Sequence, residues 1–276
     1  EDVIKSDSKS EIYQMQSKKK NSSIDLNENL SSKEIKIYGL YDPNDYGLDI
    51  NMWVNSDGDQ LKNIFSKLDK INLSNDAKEI MNISMLTNAY MPQRNISEKD
   101  FLKFKSDWLI KNSDLDLIAN YLIKNQIFDI HPELTKFLVN QHLSNADEDK
   151  ACKILLKNSK PFVNDYLSKF NIYCLVVSGK IDEAQLILDL KKELGFNDTY
   201  FEKKIYFLMG YSSEIDEKIS EKSILDFHLA YKSNPDFIFE PNDKTSKIIW
   251  KYLSSFNLLN SFEKIDITEM KKISTL

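Results

Sequence analysis

SDLDLIANYLIKN (113–125), ADEDKACKILLKN (146–158) and GKIDEAQLILDLK (179–191) are one block read three times at a spacing of 33 residues. In register, Ser113, Ala146 and Gly179 share a column, as do Asp116, Asp149 and Asp182, then Ile118, Ala151 and Ala184, then Leu122, Leu155 and Leu188. The residues ahead of each block align too: Phe101, Leu134 and Leu167 fall together, and so do Phe104, Phe137 and Phe170. A period of this length with two helical patterns in it predicts stacked helix hairpins, each burying its apolar face only against its neighbours.

Composition agrees. Six glycines and six prolines in 276 residues are too few to punctuate a many-stranded sandwich or barrel, so the expected class is all-α. The 36 lysines and abundant Asn, Ile and Ser pervade helical and loop patterns alike, which is the mark of a low-G+C coding bias. A net charge of −6 and a single arginine, Arg94, argue against nucleic-acid binding, because the bidentate fork that reads guanine and grips phosphate is missing. No run approaches the roughly 18 apolar residues of a membrane helix.

Working outward from the repeat, the expected architecture is a right-handed α-solenoid of stacked antiparallel hairpins over 58–276. Residues 1–35, polar and rich in Ser, Lys and Asn, read as a disordered leader, as in an exported protein on a flexible tether or a processed fragment. Residues 36–57 mix aromatics with Asp, Pro and Gly and suit an extended or turn-rich segment with one short strand at most. Helices are expected over 58–71 and 76–90, where Leu61, Ile64, Phe65 and Leu68 follow helical spacing. The regular repeats occupy 98–194. A degenerate fourth unit follows, with helices over 198–211 and 214–232, and then capping helices over 242–276, the last beginning at Ile267. The Phe104, Phe137 and Phe170 column is expected to be buried between successive hairpins.

Gly179–Ala184, GKIDEA, resembles the start of the second helix of a tetratricopeptide repeat, in which a small residue is followed five positions on by Ala so that neighbouring helices can approach. Ala146 with Ala151 repeats the pattern, whereas Ser113 with Ile118 departs from it, and the first-helix positions of that family are not met. The order MWVNSDGDQLKNIFSKL, ISMLTNAYMP, repeats, LDFHLAYKSNP is similar to a family of predicted exported alphaproteobacterial proteins. That resemblance implies an envelope location and carries over no site residues.

Chemistry-bearing constellations are scarce. Trp53–Asp59, WVNSDGD, has the look of a calcium loop, but its frame puts Trp53 and Ile64 at ligand positions, so a turn leading into a helix is the better reading. His131, His142 and His228 stand alone, and His142 falls in a column with Leu109 and Leu175, the pattern of a core histidine. Asp147, Glu148 and Asp149 sit at a helix start, where they complement the dipole. Cys152 and Cys174 have no CxxC or His pair beside them, so zinc spacing is absent. They lie on consecutive helices where contact is conceivable, but buried free thiols are expected.

The remaining pattern lies on the first helix of each repeat. At 100° per residue the side away from the 101/104/108 stripe carries Lys103, Lys136 and Lys169, and further along it Ile110, Leu143 and Val176. First helices line the inner surface of such stacks, so the two columns predict a groove with a basic rail beside an apolar one, fit for a protein or peptide. The expected function is a non-enzymatic scaffold or adaptor, with no cofactor and no metal, in the periplasm or cell envelope in preference to the cytoplasm. The alternative is the helical, substrate-positioning part of a cell-wall enzyme whose catalytic domain lies outside this chain.

Overall fold

The computed structural model describes residues 37–259 apart from Ser113, and all regular structure among them is helical. The leader 1–35, the capping residues 260–276 and the helix expected from Ile267 lie outside the described residues. After a short 3₁₀ turn, Pro43–Tyr46, the described residues form eleven helices: α1 (Gly58–Leu68), α2 (Asn75–Leu86), α3 (Glu98–Asn112), α4 (Leu115–Asn125), α5 (Pro132–Ser144), α6 (Glu148–Leu155), α7 (Asp165–Val177), α8 (Ile181–Glu193), α9 (Thr199–Leu208), α10 (Ile224–Ser233) and α11 (Lys247–Ser255).

Residues 37–57 form no strand. Tyr41 and Thr87, and Asp57 and Arg94, make isolated bridges. Leu40 and Tyr41 both donate to Leu86 O, and the Asn125 side chain accepts from Gly39 N and donates to Gly39 O, so this strap is tied across the ends of α2 and α4. Gly39 is needed there: a Cβ would come within 2.7 Å of Asn88 N and Leu86 O.

Helices α5 and α6, and α7 and α8, pair as hairpins closed by the same turn in register. Asp147 N donates to His142 O and Ala146 N to Leu143 O; 33 residues on, Lys180 N donates to Leu175 O and Gly179 N to Val176 O. Both turns are Schellman caps, with Ala146 at φ +60 and Gly179 at φ +77. Nothing lies within 4 Å of a Cβ built on Gly179. The small column therefore serves left-handed backbone, and close helix approach falls to the fully buried Ala151 and Ala184.

The first helices α3, α5, α7 and α9 touch in succession, as stacking requires. Their shared buried column is Phe101, Leu134 and Leu167. Within the phenylalanine column only Phe170 is fully buried; Phe104 and Phe137 are half-buried, which corrects the expectation for that column. The cause is a small rotation of the buried stripe: Lys105 and Thr135, each next in sequence to a column residue or one turn from it, are inside, and Phe104 lies at the stripe's edge, stacked 5.0 Å from Phe65 of α1.

The fourth unit departs from the repeat. No helix begins at 214, because side chains there compete for the backbone: Ser212 Oγ accepts from Glu214 N, Asp216 Oδ1 from Lys218 N and Ser220 Oγ from Lys222 N. Lys204 donates to Asp216 O. The helix starts only where Ser223 Oγ caps Asp226 N, giving α10. Eight of the ten residues of α10, Ile224–Ala230 and Ser233, are buried, the mark of a helix enclosed on all sides. It packs against α5, α9 and α11, and α11 also lies on α5, where Lys251 Nζ reaches Gln141 Oε1 at 3.0 Å.

Cys152 of α6 and Cys174 of α7 form a disulfide, with Cα atoms 5.1 Å apart, so the expectation of free thiols is wrong. Adjacent helices of successive hairpins bring two fully inward residues face to face, which sequence spacing alone leaves open.

Candidate docking surface

The six residues of the expected groove do not form an open one. Lys103 is on solvent, its side chain 68% exposed and paired with Asp107 at 2.6 Å, and the partly exposed Lys136 pairs with Glu133 at 2.9 Å. Lys169 is inside, held by Asp198 at 2.8 Å and Asp226 at 2.9 Å. Leu143 and Val176 are buried and Ile110 is half-buried. The physical reason is that α10 and α11 lie over α5, and Asp226 of α10 takes the Lys169 ammonium of α7. The chain's own later helices occupy the side meant for a ligand.

A second buried network joins the same elements. Tyr173 donates to Glu148, whose other oxygen accepts from Lys232 at 2.8 Å. His228 stands between Tyr173, 2.7 Å from Nε2, and Tyr252, 2.7 Å from Nδ1. With the Tyr173 hydroxyl donating to the carboxylate, His228 Nε2–H donates to the Tyr173 oxygen and Nδ1 accepts from Tyr252. Burial alone would raise the Glu148 pKa, but the His228 ring 3.6 Å away and hydrogen bonds from Lys232 and Tyr173 outweigh it and hold it at about 2. Burial keeps His228 below its ordinary value despite Glu148.

His131 is equally enclosed. It precedes α5, with Nδ1 2.6 Å from Ser106 Oγ and Nε2 3.2 Å from the Tyr121 hydroxyl. Burial, with Lys105 nearby, lowers its pKa to about 3. Lys105 itself is buried, donates to Tyr38 O at 3.3 Å, and is lowered to about 8 by desolvation. His142 is buried, as its column predicts, with Nδ1 3.4 Å from Asp147. These groups brace helices and are closed to a substrate. In WVNSDGD, Asp57 caps α1 through Asp59 N and Gln60 N and accepts from Asn95 Nδ2 at 2.6 Å, so the segment is a turn leading into a helix.

The face that stands open belongs to α8, which buries only Ala184 and Leu188. Leu186, Leu190 and Leu194, one turn apart, are 59%, 50% and 83% exposed. Val163, 80% exposed, accepts from Lys191 through its carbonyl at 2.9 Å. In the repeat frame, Leu186 shares its column with Asn120 and Lys153, and Leu190 with Lys124 and Lys157. The first two repeats thus put polar side chains where the third puts leucine. Sequence reasoning passed over this contrast by aligning the columns that agree and not the ones that change. Comparison with protein-family models, curated proteins and solved structures gave no match.

Proposed function

We propose that the protein is a non-enzymatic scaffold, a short right-handed stack of tetratricopeptide-like hairpins whose inner side is filled by its own α10 and α11 and whose protein partner docks on α8. The observation that carries this reading is the exposed Leu186, Leu190 and Leu194 stripe, of which Leu186 and Leu190 are set in columns that are polar in the other repeats. The enclosed histidines support a non-catalytic role: His131 and His228 are buried with both ring nitrogens engaged by Ser or Tyr. The Cys152–Cys174 disulfide supports an oxidising compartment such as the periplasm.

The test is a photoreactive residue at position 190 of the full chain, in cells that make the protein. A discrete crosslinked partner is expected, and it should not appear when the same residue is placed at position 157, the equivalent site of the second repeat. Equal labelling from both positions removes α8 as the docking face.

A further inference from the structure

If α8 is the docking face, its side chains also specify the chemistry of the occupant, and the inference drawn from them rests on that reading. Along α8 the leucines run at i, i+4 and i+8, a single ridge about 12 Å long at 1.5 Å per residue. A ridge of that kind fits the groove between rows of side chains on another helix.

The ridge is bordered by carboxylates. On a helical projection Asp182, Glu183, Asp189 and Glu193 all fall within about a sixth of a turn of one or another of the three leucines, and all four are exposed. The basic residues of the helix are turned away or already engaged. Lys191 pairs with Asp165 at 3.2 Å and Lys192 with Glu202 at 2.8 Å, both drawn towards neighbouring elements. Lys180, ahead of α8, pairs with Glu183 at 3.3 Å. Asp182, Asp189 and Glu193 have no cation partner among the described residues. The open face therefore offers an apolar stripe with a negative rim along one side.

We infer that the occupant of α8 is an amphipathic helix of a different protein, with aliphatic residues along one face and lysines or arginines along the flank that meets Asp182, Asp189 and Glu193. Aliphatic anchors supply affinity, and the basic flank meets the carboxylates, fixing orientation and speeding encounter. A second copy of this chain is the poorer fit, because two such faces brought together set acidic rim against acidic rim.

The experiment uses two synthetic helical peptides of identical leucine stripe, one flanked by lysine and one by glutamate, titrated against the full chain at low salt and followed by fluorescence anisotropy. The lysine peptide is expected to bind at least about tenfold more tightly, a difference of about 1.4 kcal/mol. The variant Leu186→Lys/Leu190→Lys carries the residues of the second repeat at those columns, keeps the wild-type melt, and is expected to lose the binding. The variant Asp182→Asn/Asp189→Asn/Glu193→Gln is expected to bind both peptides alike. Equal affinity of the two peptides for the wild type overturns the basic partner while leaving the docking face standing. Undiminished binding to the leucine variant, or no binding of either peptide, overturns this inference, and the first of these also removes the scaffold reading. A wild-type dimer in sedimentation that the leucine variant dissociates would assign the face to a second copy and overturn the inference as well.

Discussion

Lys169 and Asp226 lie 57 residues apart in sequence and 2.9 Å apart in space, with side chains only 9% and 8% exposed. This ion pair ties a repeat helix, α7, to the enclosed helix α10, and it is shielded from water on both sides. Removing one partner of such a pair leaves an uncompensated buried charge. Lys169→Met is expected to cost about 3–5 kcal/mol in urea melts, since it strands Asp226 and leaves Asp198 without its cation. Lys136→Met, in the same sequence column but partly exposed and paired only with the exposed Glu133, should cost at most about 1 kcal/mol. Equal losses from the two would mean that α10 does not seal Lys169.

The phenylalanine column divides in the same way. Phe170 is fully buried and Phe170→Ala is expected to cost about 3–5 kcal/mol. Phe137, half-buried, should cost clearly less on truncation, because part of its ring is already in water and a smaller cavity remains. Thermal melts of the two variants side by side decide it.

Acid should weaken the fold over two successive pH windows. His131 has its pKa lowered from 6.5 to about 3, so the unfolded chain binds the proton first; its contribution is complete above pH 6.5 and is lost as pH falls towards 3. Glu148, lowered from 4.5 to about 2, contributes fully above pH 4.5 and loses that contribution as pH falls towards 2. Urea midpoints should therefore fall from pH 6.5 downward and continue falling below 4.5. Glu148→Gln should flatten only the lower part. A midpoint unchanged between pH 7 and pH 5 would show His131 to be accessible to protons in the folded state.

The Cys152–Cys174 link closes a loop with a sequence separation of 22. In the chain-entropy account a loop of this length stabilises by about 3 kcal/mol. Cys152→Ser/Cys174→Ser, and wild type under reductant, should both melt lower than oxidised protein by that order. Mass spectrometry of the alkylated, unreduced protein should find no modified cysteine.

The regular part of this fold was legible because three copies vote on each column. The range 98–112 for α3 agrees with Glu98–Asn112, and the turn columns at Ala146 and Gly179 mark real, repeated caps. Where the copies stop, legibility falls. Alignment carries residue type and not environment, so Lys103, Lys136 and Lys169 looked equivalent although one of them meets Asp226 across the fold. The position of α10 depends on contacts with α5, far away in the chain, and its sequence sign is an apolar residue on every face, Ile224, Leu225, Phe227, Leu229 and Ala230. The candidate site was legible in principle, at Leu186 and Leu190, as a break in the polar columns.

The enclosure of α10 also bears on how the chain acquires its shape. An open stack of hairpins gains stability unit by unit, and its first-made repeats can settle while later ones are still being synthesised. Here α5 acquires its covering only when residues 224–255 have been made, so the earliest repeats must wait, with apolar surface uncovered, for the last helices to arrive. Such a protein should lose its structure in one concerted transition where an open array would fray from an end. Any truncation before Ser223 would leave a body that sticks to its neighbours.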